Sequence, residues 1–170
     1  ALGSRLQGHP NMNDTPGVDM TSGSLGQGVS AAVGMALSAK LTGDSYRVYA
    51  VLGDGELEEG QVWEAMMFAG NKQLDNLVIV ADSNGIQLDG TVEEINSPQP
   101  IDEKMKAFHI HPIVVDGHDF DQLHRAFEEA RTVKGQPTAI IAKTVKGKGV
   151  SYMENQVSWH GSAPNKEQYE

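Results

Sequence analysis

Apolar positions recur along the chain at two different spacings, and the changes of spacing mark out its elements. From Gly8 to Gly28, glycines, prolines and small polar residues break any period, and this stretch is expected to be loop. Leu25, Val29, Ala32, Val33, Ala36 and Leu37 then follow at steps of three and four, which predicts a helix with one apolar stripe through about residue 41. Ala31, Ala32 and Gly34 on it predict close packing. Tyr46 to Leu52, bounded by Gly43-Asp44 and Gly53, has the composition of a strand covered on both faces. Helical spacing resumes from Gln61 to Gly70 through Val62, Ala65, Met66 and Ala69. Because Trp63, Met67 and Phe68 make the opposite side apolar as well, this helix is expected to be buried all round.

Leu77 to Ala81 is the second strand and stops at Asp82-Ser83-Asn84-Gly85, so residues 46–85 form a β-α-β unit with parallel strands and a right-handed crossover. Residues 89–104, rich in proline and acidic residues, are expected to be loop. Ile113–Val115 and Thr138–Ala142 predict two more strands, joined by a helix that Asp119 or Asp121 caps and that runs to about Lys134. Leu123, Ala126, Phe127 and Ala130 supply its inward face, and Gly135-Gln136-Pro137 its stop. The tail from Lys143 returns to glycine-rich loop. With no repeat and no dividing linker, the expectation is one α/β domain over residues 1–170, a parallel sheet flanked by helices.

Composition removes several classes of function. Lys and Arg number 13 against 23 Asp and Glu, a net charge of −10, and no basic block offers a nucleic-acid footprint. The absence of cysteine excludes disulfides, thiolate metal sites and cysteine nucleophiles, and it suits a reducing compartment, with cytoplasm the expectation. No apolar run approaches the ~20 residues needed to cross a bilayer, and the N-terminus has no signal pattern, so no membrane partner is expected.

The chemistry sits where the strands end. In a parallel sheet, ligands collect beyond the carboxyl ends of the strands, and here those ends carry Gly53-Asp54-Gly55 and Asn84-Gly85. Asp54 offers a carboxylate and Asn84 an amide oxygen, both suited to a hard cation. Mg²⁺ usually takes one or two protein groups together with phosphate oxygens and water, so this pair calls for a diphosphate ligand beside it. Gly53 and Gly55 let the backbone approach phosphate oxygens, and the amides opening the following helix face the same anion. Taken singly, Asp54 is a helix cap and Asn84-Gly85 a turn. Their separation, 84 − 54 = 30, is about one β-α-β repeat, which brings the second to a strand end adjacent to the first.

Gly53-Asp54-Gly55-Glu56-Leu57-Glu58-Glu59-Gly60, followed by Asn76-Leu77 and Asp82-Ser83-Asn84-Gly85, resembles the thiamine-diphosphate signature in its transketolase version. His9-Pro10, the run from Gly17 through Gly23-Ser24-Leu25-Gly26-Gln27-Gly28, and Trp159-His160-Gly161 resemble that family's cofactor and substrate loops, so the similarity covers essentially the whole chain. The resemblance implies the diphosphate-binding domain of the thiamine-diphosphate-dependent fold, without the segment that precedes it in the family. It implies that Asp54, Asn84 and the carbonyl of Ile86 hold Mg²⁺ and that Gly55 contacts the diphosphate. Gly23, Ser24 and Leu25 would border the cofactor rings, with His160 among the cofactor contacts. His9 and His160 match family histidines that exchange protons near the reactive ring and the sugar hydroxyls. Glu59 matches a glutamate coupled to the one that activates the aminopyrimidine, although by position alone Glu56-Leu57-Glu58-Glu59 reads as an acidic helix start. His109, His111, His118 and His124 lack a motif and are expected to be structural. Thr144-Val145-Lys146-Gly147-Lys148-Gly149 departs from P-loop order and is expected to be a surface loop ordered by cofactor.

The implied activity is transfer of a two-carbon ketol unit from a ketose phosphate to an aldose phosphate. Its implied partner is a C-terminal transketolase subunit supplying the pyrimidine-activating glutamate, in a homo- or hetero-oligomer. The signature shared with deoxyxylulose-phosphate synthases and 2-oxo acid dehydrogenases leaves those as alternatives, as does a non-catalytic assembly module; Glu59-Gly60 and the Gly23–Gly28 run favour transketolase.

Overall fold

The computed structural model describes residues 4, 5 and 7–170. Four parallel strands, β1 (Val48–Gly53), β2 (Leu77–Ser83), β3 (His111–Asp116) and β4 (Thr138–Lys143), form a sheet in the order β1-β2-β4-β3. Gly53 pairs with Asp82 and Ser83 with Lys143, so the ends of the three strands β1, β2 and β4 lie side by side.

Helix α1 (Gln27–Thr42) starts after Gly26, whose φ of 80° turns the chain into it, and buries Val29, Ala32, Val33, Ala36 and Ala39. Leu25, expected to begin the apolar stripe, stands outside the helix and is 54% exposed. Helix α2 (Gly60–Asn71) follows a short 3-10 turn, Glu56–Glu58, and the Trp63 indole N–H donates to the Leu57 carbonyl at 2.7 Å, fastening helix to turn. With α4 (Ile101–Ala107), α1 and α2 cover one sheet face around Leu52, Leu57, Leu77, Ile79 and Ile141. Helix α5 (Phe120–Thr132) covers the other, packing Ala126 and Ala130 against Val78, Val115 and Ile140. Asp119 caps it by accepting from the amides of Asp121 and Gln122, which settles the choice between the two aspartates.

Several expectations need correction. Strand β1 is not fully covered on both faces: Phe127 of α5 packs edge-on against Tyr49, ring centroids 6.0 Å apart, yet Val51 is 72% and Tyr49 49% exposed. Helix α2 is not buried all round, since Met67 is 57% exposed and Phe68 also faces outward. Strand β2 continues through Ser83 because Asp82 and Ser83 still pair with β4. The stretch 89–104 is not loop throughout. Helix α3 (Val92–Ile95) is closed by a capping box between Thr91 and Glu94, and α4 buries Ile101 and Met105. The tail carries a 3-10 turn at Val157–Trp159 and a last short helix, α6 (Lys166–Tyr169). Among the described residues no helix is long and apolar enough to cross a membrane.

Candidate active site

The pairing of Gly53 with Asp82 decides where the two halves of the motif meet. Asp54 leaves β1 and is 1% exposed; one carboxylate oxygen accepts from the Gly55 amide at 3.0 Å and the other from the Gly85 amide at 2.5 Å. The second bond crosses from one strand end to the next, so Asp54 and the Asn84-Gly85-Ile86 turn form one structure. Gly85, at φ 78°, makes that turn, and α3 pins it from behind through the Val92 amide on the Gly85 carbonyl at 3.0 Å. The Asn84 side-chain oxygen accepts from the Ile86 amide at 3.0 Å, while its nitrogen faces Asp82 at 3.4 Å.

The electrostatics favour a cation. Burial raises the Asp54 carboxyl above its ordinary value, and the charge of Asp82 adds to this, against the lowering effect of the Gly85 and Gly55 amides. Glu58 is raised too, by burial, then by the charge of Asp54, with Glu59 a smaller contribution, and one of its oxygens is buried without a hydrogen-bond partner among the described residues. Removing negative carboxylates from water without a counter-charge is costly. Among the described residues no cluster of three or more His, Asp or Glu side chains could enclose a metal, so a cation here would depend on amide, carbonyl and phosphate oxygens as well as Asp54. That all-oxygen set suits Mg²⁺, and Gly55 leaves its backbone bare beside Gln87, where an added Cβ would stand 2.9 Å from that side chain.

The remaining expected residues divide into two groups. His9 packs on Gly23, where an added Cβ would stand 3.1 Å from its ring, and both line a cavity of about 420 Å³ with Ser24 and Gln27. Glu59 lies against Gly26, whose added Cβ would approach the Glu59 Cβ to 3.0 Å, so the Leu25 turn abuts the start of α2. His160 stands apart on the tail: among the described residues no hydrogen bond joins its ring to His9, Asp54 or Asn84. Its pKa is lowered by partial burial and then by the Lys146 charge. Two of the four histidines expected to be structural have explicit partners, His111 bonding Glu129 at 2.7 Å and His118 accepting from the Val145 amide at 2.7 Å.

Sequence reasoning missed Glu56, Gln61 and Asp82. Glu56 accepts from the Gly26 amide at 2.8 Å and Gln61 donates to the Leu25 carbonyl at 3.2 Å, so the two hold the Gly23–Gly28 loop from the α2 side. Nothing in an acidic helix start reveals a partner so distant in the chain. Asp82 had a weak signal in its place two residues before Asn84 at the end of an apolar strand.

This sequence and fold recur in known proteins. The whole chain, residues 1–170, matches the family described as transketolase, thiamine diphosphate binding domain. It is 46% identical over 158 residues to a 6-deoxy-6-sulfo-D-fructose transketolase subunit of Clostridium sp. (strain MSTE9), covering 93% of this chain and 58% of that one. Human transketolase is 47% identical over 161 residues, 94% of this chain and 25% of the human protein. The crystal structure of Campylobacter jejuni transketolase superposes with a TM-score of 0.82 at 34% identity, covering 92% of this chain and 26% of that one. The chain thus spans under two thirds of the length of these relatives. A parallel sheet ending in a buried Asp54 bonded to the Asn84-Gly85 turn, and a match along its full length, place this chain in the transketolase thiamine-diphosphate-binding family.

Proposed function

We propose that this chain is the diphosphate side of a transketolase, a single domain that binds thiamine diphosphate with Mg²⁺ and transfers a two-carbon ketol unit between sugar phosphates together with a pyrimidine-side chain. The observation that carries the reading is the Asp54 to Gly85 bond, which brings the proposed oxygen ligands together from two strand ends. Asp54, Asn84 and the Ile86 carbonyl would hold the metal, and Gly55 would face the diphosphate. When bound, thiamine diphosphate supplies the reactive ring carbon and the electron sink for carbon–carbon cleavage.

The chain's own groups bind, orient and move protons. Leu25, exposed on a turn held by Glu56 and Gln61, would present an apolar surface to the cofactor rings beside Gly23 and Ser24. His9, lining the cavity beside Gly23, would exchange protons at its imidazole with the sugar hydroxyls. His160, whose pKa is lowered by burial and by Lys146, would accept one at a ring nitrogen. Glu59, exposed where α2 begins, would reach the partner's pyrimidine-activating glutamate. The relatives include a subunit named for 6-deoxy-6-sulfo-D-fructose and one, in Phocaeicola vulgatus, for apulose 4-phosphate, 40% identical over 169 residues. Sugars with an anionic group at the end remote from the ketol are accordingly the substrate class.

Calorimetric titration of the chain with thiamine diphosphate, in Mg²⁺ and in chelator, tests the cofactor half. Heat only with Mg²⁺, abolished in Asp54→Ala, is expected. Absence of metal-dependent binding, even with a C-terminal subunit added, would refute the proposal. Ketol transfer between sugar phosphates by the mixed chains tests the other half.

A further inference from the structure

Asp82 is an acidic residue beside the proposed ligand Asn84 that the metal assignment leaves without a role. Its two oxygens have different partners. One accepts the Thr144 hydroxyl, from the loop following β4, and the other faces the Asn84 side-chain nitrogen at 3.4 Å. A primary amide has an oxygen and a nitrogen of nearly equal size, so shape alone does not decide which end points at a ligand. An ionised carboxylate can only accept hydrogen bonds, so it draws the nitrogen toward itself and turns the oxygen away. The Ile86 amide, donating to that oxygen at 3.0 Å, favours the same orientation from the other end. The bond from the Thr144 hydroxyl holds the second Asp82 oxygen in place.

We propose that Asp82 is a positioning residue for the metal ligand Asn84, with one carboxylate oxygen fixing the amide so that its oxygen faces the cation and the other tethered by Thr144. The inference rests on the metal reading above. Outer groups of this kind typically alter metal affinity about 10- to 100-fold when removed.

Mn²⁺ affinity, measured by electron paramagnetic resonance on the full chain with saturating thiamine diphosphate, tests it. Asp82→Asn is expected to weaken Mn²⁺ about 10- to 100-fold when Asn84 is present. A carboxylate acting only through its charge, or only through the fold, would have the same effect whether or not Asn84 is there. In an Asn84→Ala background, Asp82→Asn should therefore change affinity less than about threefold, the non-additivity expected of a contacting pair. Equal effects in both backgrounds would overturn the proposal, as would a loss in Asp82→Asn as complete as in Asp54→Asn, which would make Asp82 itself a ligand. Should Asp82→Asn fail to fold by circular dichroism, Thr144→Val and Thr144→Ser carry the test: weakening in the first and retention in the second support it, and equal affinity overturns it. No Mn²⁺ binding by the unaltered chain would instead refute the metal site and Asp82's role with it.

Discussion

Asp54 shows how burial and hydrogen bonding can prepare one side chain for a ligand. Its oxygens already hold the Gly55 and Gly85 amides, yet burial still raises its pKa, so a cation would relieve a cost that the fold leaves standing. Mg²⁺ with thiamine diphosphate at about 100 times the dissociation constant should add about 2.7 kcal/mol of stability. For a chain of this size that is about 5–10 °C in melting temperature. Differential scanning calorimetry should find this shift in the unaltered chain and none in Asp54→Ala. Gly26 is the second sensitive position. At φ 80° and with an added Cβ 2.8 Å from Gln61, Gly26→Ala must displace the Leu25 turn. Thiamine diphosphate should then bind more weakly by calorimetry while the far-ultraviolet spectrum is unchanged. Asp54 and Asn84 stood out in the sequence because a carboxylate and an amide at two strand ends are visible as residue types. Glu56, Gln61 and Asp82 act by holding other residues, and their partners become neighbours only after the chain has folded.

At the scale of elements, packing decides where sequence patterns stop being informative. Periodicity located α1, α2, α5 and all four strands, because each buries at least one regular face. It missed α4, where Pro98 and Pro100 obscured the four-residue step from Ile101 to Met105, although Asp102-Glu103 at its start and Lys104 and Lys106 near its end follow the helix dipole. It overstated the coverage of β1 and α2, because apolar composition does not reveal whether a neighbour is present. Helices α2 and α4 approach so closely that a Cβ on Gly70 would stand 1.8 Å from the Phe108 carbonyl oxygen. Gly70→Ala should cost about 2–4 kcal/mol in urea unfolding, a large value for one methyl group. Asp75 joins other elements by accepting from Lys40 of α1 at 2.9 Å and from the Gly135 amide at 3.0 Å. Its pKa is lowered: burial would raise it, but those two bonds and the charges of Lys40 and Lys134 outweigh that. The stability it contributes is therefore complete above its unfolded value, near 3.8, and is lost as pH falls through the lower folded value. Asp75→Asn should cost about 1 kcal/mol at pH 7, the pair with Lys40 being partly exposed, and the difference between the two proteins should shrink in denaturation series below pH 4.

For the molecule as a whole, the sheet carries an uncovered strip. Val51 and Tyr49 stand exposed on β1, which is also an edge strand with an open side. Parallel sheets are ordinarily covered on both faces, and an open apolar edge invites association. Val51→Lys should reduce self-association of the isolated chain in sedimentation velocity without altering its unfolding midpoint. The pairing of Gly53 with Asp82 has a different kind of consequence. Sliding β2 by one residue against β1 would carry Asn84 about 3.3 Å along the strand and turn its side chain to the opposite face. Chains refolded with such a slip could keep normal helix content and a compact size, yet they would lack the proposed metal site. If Asp54 and Asn84 hold the cation as proposed, its binding would work as a vernier on this sheet, counting correctly registered molecules in a preparation where spectroscopy and sedimentation would count all of them.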